Sequence, residues 1–167
     1  IWYYGTLSRT AWLDSGMRTL PLAATYRYNL VNHEDGIDDV ETNTPAAINA
    51  YITSSEIDLQ GGDKFGFVWR VLPDMTFEGS TIDAPNATMT LNSLQNSGSG
   101  YNSPLSEGGN SAGAVTRSAT APVEAYTGQV NIRVRGRQMS MKIESTDTGV
   151  QWQLGHPRID VRADGGR

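Results

Sequence analysis

The stretch Val130-Asn131-Ile132-Arg133-Val134-Arg135-Gly136-Arg137-Gln138-Met139-Ser140-Met141-Lys142-Ile143 decides the fold class. Val130, Ile132 and Val134 alternate with Asn131, Arg133 and Arg135. After Gly136 the pattern resumes, with Met139, Met141 and Ile143 alternating with Gln138, Ser140 and Lys142. Successive side chains of a strand point to opposite faces, so this period of two reads as two strands, each with one dry and one wet face. Arg135-Gly136-Arg137 between them reads as a turn or bulge.

The same period extends outward in both directions. Val150, Trp152 and Leu154 alternate with Gln151 and Gln153, and Ile159 and Val161 with Arg158, Asp160 and Arg162. With Met89 and Leu91 set between Thr88, Thr90 and Asn92, five segments carry the antiparallel signature. Turns at Gly136, at Asp147-Thr148-Gly149 and at Gly155-His156-Pro157 predict that the C-terminal strands pair with sequence neighbours in one sheet, anchored by a buried Trp152. Ile48 to Leu59 and Phe65 to Val71 are also strand-like, and Gln60-Gly61-Gly62-Asp63 between them predicts a tight hairpin. No long run places apolar residues at helical spacing, so little helix is expected. The fold class is all-β, in antiparallel meander sheets of a propeller-like or sandwich domain.

Three regions follow. Residues 1–91 form a β-rich region, and because the chain opens at Ile1 it is expected to continue a longer polypeptide. Residues 92–114 are rich in Gly, Ser and Asn with hardly any bulky apolar side chain; such a stretch cannot bury enough surface to offset its ordering entropy and is expected to be a long loop. Residues 115–167 are the C-terminal strands. Charge divides along the same line. Residues 1–114 hold 5 basic and 13 acidic side chains, a net of −8, whereas 115–167 hold 8 basic and 5 acidic, a net of +3. Solvated surface is the ordinary reading of such a split, and complementary contact between neighbouring copies is a use for it.

The chain has no cysteine, which excludes disulfides, thiolate metal sites and cysteine nucleophiles, and suits assembly in a reducing cytoplasm. No nucleophile elbow, phosphate-cradling Gly-Lys-Ser/Thr or His-Glu-x-x-His occurs. His33 and His156 stand apart with no ligand partner at recognisable spacing. The acidic run from His33 to Glu41 offers Asp35, Asp38 and Asp39 as candidate calcium ligands, but EF-hand spacing is absent and a solvated acidic loop is preferred. No cofactor and no catalytic residue are expected, and the chain reads as no enzyme. Arg133, Arg135 and Arg137 recur at alternate positions, a stripe that could meet DNA phosphate or a neighbouring subunit; a solvated face, or an ion-pair ladder with Glu144 and Asp160, is the plainer reading.

Val134 to Ser145, Gly149 to Gly155 and Pro157 to Arg162 together resemble the final strands of the tail nozzle, or hub, proteins of short-tailed bacteriophages. Trp2-Tyr3-Tyr4-Gly5, Arg9-Thr10-Ala11-Trp12 and Val115 to Thr120 are similar to the same family, and Gly165-Gly166-Arg167 resembles its basic terminus. The resemblance implies a structural virion protein with propeller-like domains. It implies a ring, commonly sixfold, below the portal and adaptor, touching other tail proteins and holding and then conducting the DNA. Two other readings stand beside it. Four tryptophans and seven tyrosines could stack on sugars in a receptor- or glycan-binding tail module, although Trp69 and Trp152 fall on apolar strand positions that favour the core. An envelope-degrading hydrolase would need a carboxylate pair in a cleft.

Overall fold

The computed structural model describes residues 8–16, 18–42, 44–94 and 115–165. Among them there is no helix, and all strand pairs are antiparallel, so the all-β class stands. The first strands are short: β1 (Ala11–Leu13), β2 (Leu22–Ala24) and β3 (Leu30–Asn32) form a three-stranded meander, and β4 (Asp38–Asp39) pairs with β5 (Ala46–Ala47). β6 (Ala50–Thr53), β7 (Ile57–Asp58), β8 (Gly66–Leu72), β9 (Met75–Thr76) and β10 (Asn86–Leu94) follow. The C-terminal part holds β11 (Val115–Glu124), β12 (Val130–Gly136), β13 (Gln138–Ser145), β14 (Gln153–Leu154) and β15 (Arg158–Ala163).

Two sheets build the body. One runs β11-β10-β13-β6, with β7 on the β13 edge beyond β6; the other runs β12-β8-β15. Alternation fixes their dry faces as the sequence predicts. Met89 and Leu91 of β10 lie opposite Ile143 and Met141 of β13 and are buried with them, as is Ala87 opposite Val123 of β11. Val130, Ile132 and Val134 of β12 are buried while Asn131, Arg133 and Arg135 are exposed. These residues, with Val68 and Val71 of β8, form a single apolar cluster to which both sheets contribute.

Strand partners depart from the predicted hairpins. The chain does not turn back at Gly136 but crosses from one sheet to the other: β12 pairs with β8, and β13 pairs with β10, β6 and β7. The C-terminal strands therefore do not share a sheet. Arg137 is the crossing point, its N–H donating to Leu94 O at 2.9 Å and its carbonyl accepting from Leu59 N at 2.7 Å. The turn at Gln60 to Asp63 exists, with Gln60, Gly61 and Gly62 at positive φ, but it too links different sheets, because β7 joins β13 and β8 joins β12. A face that must be buried can be met by a distant strand as well as by a near one, and in this chain the distant strand wins.

Other expectations shift by a few residues. β10 continues to Leu94, so Asn92 to Leu94 leave the predicted loop, whose residues 95–114 lie outside the described residues. Of Val150 to Leu154 only Gln153–Leu154 forms a strand, paired with β9. Val150 is buried, whereas Trp152 is half-buried against the core and donates its indole N–H to Ser145 Oγ at 3.0 Å. Ser140, predicted wet, is fully buried, and its hydroxyl has no partner among the described residues. Trp69 is not a core residue: it is 42% exposed.

Trp69 sits where the smaller sheet breaks step. Val130 to Val134 on β12, Val71 to Val68 on β8 and Ile159 to Val161 on β15 join the same two rungs. The three strands thus take five, four and three residues to span the same two rungs. Such bulges bend and twist a sheet, and here they push Trp69 and Arg133 outward while leaving the valines inward.

The N-terminal part is tied to the body by Asp38, whose two carboxylate oxygens accept the Gly149 N–H at 2.8 and 3.0 Å. Asp38→Ala leaves that amide without its charged acceptor. It is expected to lower stability by about 1–2 kcal/mol in denaturant titration, with Asp38→Asn recovering part of the loss. Equal stability of all three proteins would show that the tether contributes nothing.

Candidate functional site

The outward face of β12-β8-β15 collects the arginines. Residues paired across a ladder share a face, so exposed Arg135 places Phe67 and Arg162 outward on its rung. The next outward rung is Asn131, Arg70 and Asp160, and Leu72 with Arg158 makes a third. Arg133 stands exposed in the bulge beside Trp69.

Guanidinium planes lie over aromatic rings across this face. Arg70 lies 4.7 Å from the Trp69 centroid and Arg162 4.6 Å from that of Phe67. Arg135 and Arg137 both cover Phe65, at 4.0 and 5.0 Å. Contact of this kind pre-orders a guanidinium and turns its N–H groups toward an acceptor, a role that Asp160 already fills for Arg70 and Asp164 for Arg135.

Among the described residues the face carries six guanidiniums, Arg70, Arg133, Arg135, Arg137, Arg158 and Arg162, against two carboxylates, Asp160 and Asp164. Asp160 Oδ2 accepts Arg70 at 2.5 Å, and Asp164 pairs with Arg135. The predicted ladder is thereby corrected: Asp160 serves Arg70 from β8 rather than the β12 stripe, and Glu144 pairs with Lys142 on its own strand. Among the described residues Arg133, Arg158 and Arg162 have no carboxylate at ion-pair distance. The Nε of Arg137 is buried without a hydrogen-bond partner among them. The six-to-two balance leaves a field of net positive charge on an outward sheet face, suited to a polyanion met along its backbone rather than to a small ligand in a cleft.

Of the predicted stripe, Arg133 and Arg135 share the outward face of one strand. Arg137 comes from the crossing beyond β12 and joins them only through Phe65. Arg70, Arg158 and Arg162 were missed because they arrive from strands distant in sequence. A signal existed: Phe65, Phe67 and Trp69 alternate with Gly66, Val68 and Arg70, the spacing of an aromatic strand face.

The remaining candidates do not converge. Among the described residues no three His, Asp or Glu side chains form a group that could hold a metal ion. Asp38 holds Gly149, Asp39 Oδ1 accepts the Glu41 N–H at 2.9 Å, and Asp35 is exposed. His33 accepts Arg9 Nε at 3.0 Å and packs against Trp12, with ring centroids 4.5 Å apart. His156 lies in an exposed turn where its backbone N–H donates to Asp74. No helix of the described residues is long and apolar enough to cross a membrane. Neither a model of any known protein family nor any curated protein matches this sequence.

Proposed function

We propose that this chain is a non-catalytic structural module of a bacteriophage virion tail, part of the nozzle or hub ring below the portal that retains and then conducts the DNA. The observation that carries the reading is the stacked arginine face, which suits a phosphate backbone followed without regard to sequence. The resemblance of the C-terminal strands to tail nozzle proteins supplies the setting. In that setting the chain contacts other copies of itself and neighbouring tail proteins, is assembled in the host cytoplasm, and needs no cofactor.

Binding of the full chain to a short duplex of random sequence, titrated over a range of salt, tests the face. Each phosphate contact contributes about −0.9 to the slope of log affinity against log salt, so Arg133→Ala, Arg158→Ala and Arg162→Ala together should flatten it by about 3. Melting temperature should hardly change, because all three side chains point outward. An unchanged slope, or a marked preference for one sequence, would remove DNA from the reading. A chain that stays monomeric at virion-like local concentration and captures no tail protein would remove the ring.

A second reading has its own observation. Tyr26 lines an 880 Å³ cleft with Asn32, Asn49 and Asp39, and Tyr28, two residues on, is 98% exposed. Exposed aromatic rings beside planar polar groups suit a sugar, and retention of the chain on a glycan array would favour the receptor-binding module.

A further inference from the structure

Among the described residues both outer edges of the larger sheet lack a further strand: none pairs with the far side of β11, nor with that of β6 and β7. An open edge presents a row of backbone donors and acceptors, and proteins that keep such an edge solitary blunt it with charge or proline. β11 carries Pro122, yet the β6–β7 edge shows the reverse of blunting: Tyr51, Ile52 and Ile57 are 47%, 49% and 42% exposed.

Ile52 pairs with Ile143 and Ile57 with Met139, both inward residues, so the two isoleucines point to the core side of the sheet. They remain exposed because neither is covered as the core residues beside them are. They extend the apolar core past its last covered strand. At the opposite edge the middle of the core side is lined by small residues, Ala119 and Ala121, which lie opposite Leu91 and Met89 and pack on the core, with buried Val123 beyond them. One edge is bulky and the other recessed.

Strand direction completes the match. Four antiparallel strands in the order β11-β10-β13-β6 leave the two edges running in opposite directions. A second copy placed beside the first in the same orientation therefore sets its β6 antiparallel to β11. The lengths also agree, since the edge from Ala50 to Asp58 follows β13 along Ser145 to Gln138, and β11 has 10 residues.

We infer that copies of this chain associate head to tail, the β6–β7 edge of one adding to the β11 edge of the next, with Ile52 and Ile57 covering the side of Ala119 and Ala121. The contact is heterologous, so it extends to a ring or a filament rather than stopping at a dimer. This rests on the self-association proposed above and names its surface; it does not use the arginine face.

The absence of cysteine makes the test clean. Thr53→Cys and Thr120→Cys place one thiol at each edge, both at exposed positions. With a short bis-maleimide linker the double variant should give a ladder of dimer, trimer and larger species. Each single variant alone should give none, and the two single variants mixed should give dimer only. Ile52→Lys with Ile57→Lys in the double-cysteine background should cut the ladder about tenfold at unchanged melting temperature. Dimers from either single variant, a ladder indifferent to the two lysines, or no cross-link while the chain is shown to associate would each overturn the edge contact. In the last case self-association itself survives through another surface; a strictly monomeric chain removes both.

Discussion

Leu91→Ala is expected to destabilise the fold by roughly 3–5 kcal/mol, measured as a lower denaturant midpoint at unchanged slope. Leu91 is fully buried and stands in the centre of β10, with Ala119 beside it on β11 and Met141 on β13. Both neighbours are held in hydrogen-bonded ladders, and the core cluster takes in residues of both sheets, so little can move into the space the side chain leaves. Such a site gives the upper part of the range for leucine truncations, because the cavity term adds to the lost transfer energy. Trp152→Ala should cost less despite the larger side chain, because Trp152 is only half-buried at the margin of the core. Trp152→Phe should cost about 1 kcal/mol for the lost hydrogen bond to Ser145. A Trp152→Ala loss larger than that of Leu91→Ala would mean that Trp152 is the buried anchor that the alternation alone predicts, and that the core is not centred between the two sheets.

Gly136→Val should be nearly as damaging, for a different reason. A Cβ at Gly136 would lie 2.9 Å from the carbonyl oxygens of both Leu94 and Gln138 and 3.0 Å from Ser93 Cβ. Two of the three obstacles are backbone atoms in or beside the ladder of β10 and β13, so no rotamer change relieves them. The chain crosses between sheets at this point, with Arg137 hydrogen-bonded on both sides, and the crossing must move bodily to admit a side chain. Overpacking of this kind costs roughly 1–3 kcal/mol, and the branched valine should reach the top of that range or pass it, with Gly136→Ala below it. Gly128→Ala is the control: nothing lies within 4 Å of a Cβ there, and a change within about 0.5 kcal/mol is expected. Two glycine substitutions of equal effect would show that the crossing is not tightly packed.

The arginine face was partly legible before folding. Parity puts Arg133 and Arg135 on the side opposite Val134, and burial agrees. Parity could not supply Arg70 or Arg162, which reach the same face through rungs formed with residues more than 25 positions away. The two acids of the face are likewise tertiary. Asp160 meets Arg70 across a gap of 90 residues, a pairing that no local pattern encodes.

The alternation is written in the chain: Val130, Ile132, Val134, Met139, Met141 and Ile143 must face inward, the elements are strands, and cysteine chemistry is absent. Which strand each one meets is set by long-range packing. Period two states that a face must be dried and is silent about the partner that dries it, so a turn at Gly136 and a crossing at Gly136 look identical in the one-dimensional pattern. The choice falls to packing between residues far apart in the chain. Placing β12 on β8 and β13 on β10 lets both dry faces close on one another, an outcome that a hairpin lying within one sheet could not give.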